Sequence, residues 1–98
     1  MEGMIKGKVF LIRSERDYYK INKPVILIAQ NTHPDIVIAI KKIKAIVTEI
    51  DNRLCHAAII AREYGVPLLM GMENATKEFK TGDKVIVDFN SKTICKIK

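Results

Sequence analysis

Apolar runs of strand length recur along this chain, separated by turn signals and by stretches of helical spacing. Lys6 to Arg13 (KGKVFLIR) reads as a strand, and the SERDYYKINK that follows reads as a polar connection. Pro24 to Gln30 (PVILIAQ) is a continuous apolar run, the pattern of a strand buried on both faces. Asn31 to Asp35 (NTHPD) carries a helix-start signal, with Asn31 or Thr32 suited to cap and Pro34 suited to the first helical position. Asp35 to Lys44 (DIVIAIKKIK) is expected to continue as a short helix, although its branched residues favour that state weakly.

The second half repeats the alternation. Ala45 to Ile50 (AIVTEI) predicts another buried strand, Asp51 to Arg53 a turn, and Cys55 to Gly65 (CHAAIIAREYG) a helix stopped by its glycine. Val66 to Gly71 (VPLLMG) predicts a short strand, Glu73 to Phe79 (ENATKEF) a brief helical turn, and Lys84 to Lys98 a hairpin across Asn90-Ser91. The order β, β, α, β, α, β, then β-β argues for parallel crossover units with an antiparallel C-terminal hairpin. The fold class expected is therefore α/β with a mixed sheet. At 98 residues the chain suits one domain spanning 1–98.

Composition removes several function classes. Hydrophobic residues make up 48% and charged residues 29%, which excludes a disordered chain. No apolar stretch approaches the roughly 18 residues of a membrane span, so no membrane role is expected. The opening MEGMIKGKVFLI has its apolar run broken by lysines and does not read as a signal peptide. Cys55 and Cys95 are far apart and have no metal-ligand spacing, so the expectation is free thiols in a reducing cytoplasm and no metal site. The net charge of +6 raises the question of nucleic acid. The basic residues are spread along the whole chain, however, and no aromatic interleaves the densest cluster, Ile40 to Lys44, to stack on bases. Nucleic acid is not the expected partner. A basic surface equally suits phosphate-bearing substrates or an acidic partner.

One residue carries a chemical possibility. His56 stands where a strand and a polar turn give way to a helix, the place where unpaired N–H groups and the helix dipole favour negative charge. A neutral imidazole there is able to attack a phosphoryl group, and the helix end is able to hold the phosphate gained. Arg53 can add a charge-assisted contact to that phosphate, and Thr32 a hydroxyl, provided the two loops converge at the strand ends. The same placement also suits a general base, a metal ligand or an ordinary helix-start residue. Arg62 and Glu63 read as local ion-pairing residues near the helix end, and Cys95 as a packing residue.

The stretch AIVTEIDNRLCHAAIIAREYGVPLLMG strongly resembles the phosphohistidine, or swivelling, domain of the PEP-utilising enzymes. That family includes phosphoenolpyruvate synthase, pyruvate phosphate dikinase and the first enzyme of the bacterial sugar phosphotransferase system. Its pattern is a buried strand ending in Thr-Glu, a Gly-Gly turn, a Ser-His-Ala-Ala helix start, Ala-Arg-Glu, and Gly-x-Pro before the next strand. The matching residues are Thr48, Glu49, His56, Ala57, Ala58, Ala61, Arg62, Glu63, Gly65, Pro67 and Gly71. Pro34-Asp35, Ala75-Thr76 and Thr81 to Ile94 fall where the family has similar segments, so the likeness runs from about Lys6 onward.

The resemblance implies a compact β/β/α swivelling domain in which His56 is transiently phosphorylated. It implies a carrier that passes the phosphoryl group between a nucleotide-binding partner and a phosphoenolpyruvate/pyruvate partner. ATP, phosphoenolpyruvate and magnesium then belong to those partners, and this domain holds no cofactor itself. Neither partner domain fits within 98 residues, so the chain is expected to be a partial phosphotransferase served by separate nucleotide-binding and PEP/pyruvate-binding subunits. The alternative is a non-catalytic interaction or regulatory module that keeps the fold without the transfer. Three positions depart from the pattern. Asp51-Asn52 replace the Gly-Gly turn, Leu54 stands where the dikinases have threonine, and Cys55 replaces the usual serine. Asn and Asp still tolerate left-handed turns, while Asp51 adds a negative charge. Asn52 and Cys55 are accordingly expected beside the phosphate, with Arg53 and Thr32.

Overall fold

The computed structural model describes residues 3–51 and 56–97, with His56 and Ala57 described by backbone alone. Six strands form one mixed sheet: β1 (Met4–Ile12), β2 (Val25–Ala29), β3 (Ile43–Thr48), β4 (Leu68–Leu69), β5 (Lys84–Asp88) and β6 (Thr93–Lys96). Their order across the sheet is β4-β3-β2-β1-β5-β6. The first four strands pair in parallel, with Leu11 opposite Ile28, Ile28 opposite Val47 and Val47 opposite Leu69. β5 then pairs antiparallel with β1, and β6 with β5. This is the parallel core with an antiparallel hairpin that the apolar pattern predicts.

The reason lies in which runs are buried on two sides. β2 is buried along all five residues, because helices cover one face and the rest of the core covers the other. Leu27 and Ala29 pack with Ile36, Ile40 and Ala61 from the helical side. Ile26 and Ile28 pack with Val9, Val47, Val85, Val87 and Phe79 on the opposite side. Ile26, Leu27 and Ile28 are fully buried, each contributing about 1.5–3 kcal/mol relative to exposure. β1 bridges the two halves of the sheet, pairing β2 on one side and β5 on the other.

The helices are short: α1 (Ile36–Ala39), α2 (His56–Tyr64) and α3 (Ala75–Glu78). α2 ends at Gly65, whose φ of +68° permits the N–H of Val66 to reach the carbonyl of Ala61 at 2.8 Å, the 6→1 bond that closes a helix end.

Several expectations change. The segment expected as one helix from Asp35 gives a single α turn and a 3-10 turn at Ile40–Lys42, after which Ile43 and Lys44 open β3. Branched residues pair well in a sheet, and Ile43 sits opposite Val25 there. Asp35, rather than Asn31 or Thr32, occupies the cap position, with no side-chain bond to a helix N–H. The connection after β1 contains a 3-10 helix, Glu15–Lys20, anchored by Tyr18 at 1% exposure while Tyr19 beside it faces out. Cys95 is exposed on β6 rather than packed. Among the described residues, Arg62 and Glu63 form no ion pair.

Candidate functional site

Parallel pairing sends β1, β2, β3 and β4 out of the sheet at one end, so the segments that follow them gather there. Pairing continues past β3: Glu49 N–H donates to the Ala29 carbonyl and Ile50 N–H to the Gln30 carbonyl, both at 3.1 Å. The chain therefore leaves β3 toward α2 beside the residues that lead into Asn31 and Thr32. Thr48, fully buried, donates its hydroxyl to the Ile50 carbonyl at 2.9 Å and shapes the exit from the strand.

Glu49 ties this exit to α3. Its Oε2 accepts the Thr76 backbone N–H at 2.8 Å and the Thr76 hydroxyl at 2.7 Å. These two bonds hold the Glu49 carboxyl below its ordinary pKa, because both favour the ionised form. The segment between β4 and α3 then folds back over the same end. Met72 N–H donates to the Thr48 carbonyl at 3.0 Å. Gly71 has φ of +78°, the left-handed backbone that favours a glycine at that position; the space itself would admit a Cβ, at an ordinary 3.7 Å from Asp51.

Two clefts flank this end. One, of about 440 Å³, is lined by Arg13, Tyr18, Gln30, Thr32, His33 and Thr76 among others. Its walls come from the segments after β1, β2 and β4. The Thr32 hydroxyl is buried in it without a hydrogen-bond partner, a group that a ligand or water would satisfy. The backbone around it is fixed: Thr32 N–H donates to Asn31 Oδ1 at 2.8 Å, and His33 N–H donates to the Tyr18 hydroxyl at 3.2 Å. Burial pushes the Tyr18 phenol above its ordinary pKa, and the His33 N–H it accepts acts in the opposite direction. The second cleft, of about 490 Å³, lies along α2 and reaches the β5–β6 turn, with Asp51, Ala58, Arg62, Leu69 and Lys92 among its lining residues.

Of the residues expected at a phosphate site, His56 opens α2 and Thr32 lines the first cleft. Asn52, Arg53 and Cys55 lie outside the described residues. Arg13, Tyr18 and the contact between Glu49 and Thr76 join the site only in the folded chain. Arg13 and Tyr18 lie in a segment whose polar character masks the one buried ring, and only the Tyr-Tyr pair hints at a side that faces inward.

Residues 21–92 match the family model described as PEP-utilising enzyme, mobile domain. This chain belongs to that family. A probable phosphoenolpyruvate synthase of Archaeoglobus fulgidus is 45% identical over 86 residues, covering 88% of this chain and 11% of that protein. The phosphoenolpyruvate synthase of Pyrococcus furiosus is 42% identical over 86 residues, again 88% of this chain and 10% of its own length. The mobile domain described above thus spans about a tenth of the relatives it matches. In those relatives the matched segment is one part of a much larger protein. An NMR solution structure of Enzyme I (nEIt) superposes with a TM-score of 0.66 at 27% identity, covering 81% of this chain and 33% of that one. The α/β fold with its mixed sheet is accordingly that of the mobile domain. No helix among the described residues is long and apolar enough to cross a membrane.

Proposed function

We propose that this mobile domain is a phosphoryl carrier in which His56 is transiently phosphorylated. The observation that carries the reading is the family match across residues 21–92, which contains His56 at the first residue of a helix. The imidazole attacks the phosphorus of a donor phosphoryl group, forming the N–P bond as the bond from phosphorus to the donor's leaving oxygen breaks. The reverse exchange hands the group to an acceptor. The start of α2 supplies N–H groups and the positive end of a helix dipole for the phosphate. Thr32, whose buried hydroxyl has no partner, offers a hydrogen bond from the adjacent connection. Asn52, Arg53 and Cys55 take supporting places around the same group.

Donor and acceptor chemistry belong to partners in this reading. One partner binds a nucleotide such as ATP; the other binds phosphoenolpyruvate and pyruvate with magnesium. Both act as separate subunits toward which the carrier turns. The test is labelling of the purified chain with phosphate-labelled phosphoenolpyruvate or ATP in the presence of such a partner. Label that is acid-labile and base-stable, and that is lost in His56→Ala, is the expected result. Label retained in that variant would overturn the assignment.

A further inference from the structure

Three side chains from two separate connections meet at the rim of the cleft that contains Thr32. Glu15 stands on the 3-10 helix after β1, while His33 and Asp35 belong to the segment between β2 and α1. His33 Nε2 lies 3.0 Å from Glu15 Oε2, and His33 Nδ1 lies 3.7 Å from Asp35 Oδ1. One donor atom from each of the three falls within 4.8 Å of the others. Metal ligands at about 2.0–2.2 Å from one ion stand somewhat closer together than this, so closure needs only side-chain rotation at an exposed rim.

The backbone beneath these side chains is held in place. The buried Tyr18 anchors the helix that presents Glu15, and its hydroxyl accepts the His33 N–H at 3.2 Å. Asp17, on the same helix, accepts the N–H groups of Arg13 and Ser14 at 2.8 and 3.2 Å. Asp35 N–H donates to His33 Nδ1 at 3.2 Å and orients the ring, leaving the Nε2 hydrogen toward Glu15. An ion that takes Nε2 therefore moves the ring hydrogen to Nδ1 at the cost of the Asp35 N–H bond, and competes with the Glu15–His33 pair for the same atoms. Its affinity is set by that competition.

We propose that Glu15, His33 and Asp35 form a site for a first-row divalent cation of the manganese or zinc class. One imidazole with two carboxylates and no thiolate is the donor set such ions share. Magnesium and calcium prefer oxygen ligands alone, so the imidazole selects against them. Two carboxylates neutralise a divalent charge, which makes the site a clasp between the β1 and β2 connections rather than a positive patch for phosphate. Its residues are separate from His56, and binding is read independently of phosphoryl transfer.

Manganese is the probe, because thiolates hold it weakly and its paramagnetism marks its position. Substoichiometric Mn²⁺ added to the ¹⁵N-labelled full chain is expected to broaden the amides of residues 15, 33 and 35 first. In His33→Ala and Glu15→Gln, whose spectra report directly whether the fold is intact, the same broadening should need about 10-fold more Mn²⁺ or greater, since even outer partners of a metal ligand contribute that much. Equal Mg²⁺ should not relieve it. Broadening centred on other carboxylates, no localised broadening, full relief by Mg²⁺, or an unchanged response in folded His33→Ala would each overturn the site.

Discussion

Glu49 shows how one side chain couples two segments of the site. Replacing it with glutamine keeps the shape and weakens both contacts to Thr76, at an expected cost of about 1 kcal/mol by chemical denaturation, since hydrogen bonds to an ionised group exceed neutral ones. The carboxyl titrates below its ordinary value of 4.5 in the folded chain. The folded state therefore binds fewer protons than the unfolded state as pH falls below that value. The stabilisation from this contact is complete above the ordinary pKa and is lost as pH falls through the lower folded pKa. Denaturation of Glu49→Gln and the parent should accordingly converge in acid. A constant gap between them at every pH would contradict this account of the contact. Thr32 poses the opposite case. Its buried hydroxyl has no partner to lose, so Thr32→Val should leave stability unchanged or raise it by up to about 1 kcal/mol. The same variant should slow phosphoryl acceptance by the proposed carrier.

At the scale of elements, the connections rather than the strands decide the shape of the site. Gly71→Ala forces a side chain into the left-handed region and should cost about 1–2 kcal/mol in a thermal or denaturant unfolding measurement. Tyr18→Phe removes the acceptor of the His33 N–H and should cost about 1 kcal/mol, while leaving the ring's burial intact. These elements also mark what was legible in the sequence. PVILIAQ reads as a two-sided strand because every position is apolar, and Gly65 marks the end of α2 through its left-handed φ. The run DIVIAIKKIK misleads, because its branched residues serve a helical turn and then a strand, and the Lys41-Lys42 pair between them reads equally well as the polar side of one helix. His56 stands out because a motif surrounds it in sequence. The cleft does not, because Arg13, Thr32 and Thr76 come together only through parallel pairing of distant strands.

At the scale of the whole molecule, β2 and β1 are the shared wall of two apolar clusters. Ile28 is fully buried among β1, β3 and β5 residues, so Ile28→Ala should cost about 2–5 kcal/mol, a large share of the stability of a domain this size. That sheet joins α2 and the strand-end segments in one framework, on which the proposed carrier would present its site. The family match takes in β2 through β5, residues 21–92, and so extends well beyond the histidine motif. Phosphorylation of His56 is the step on which the proposed carrier rests. Its most direct measurement is peptide mass mapping of the chain after incubation with phosphoenolpyruvate, magnesium and a phosphoenolpyruvate synthase whose own mobile-domain histidine has been substituted. The predicted result is the mass of one phosphoryl group on the peptide containing His56, removed by mild acid and missing from His56→Ala. A phosphoryl group mapped to any other residue, or no modification at all, would contradict it.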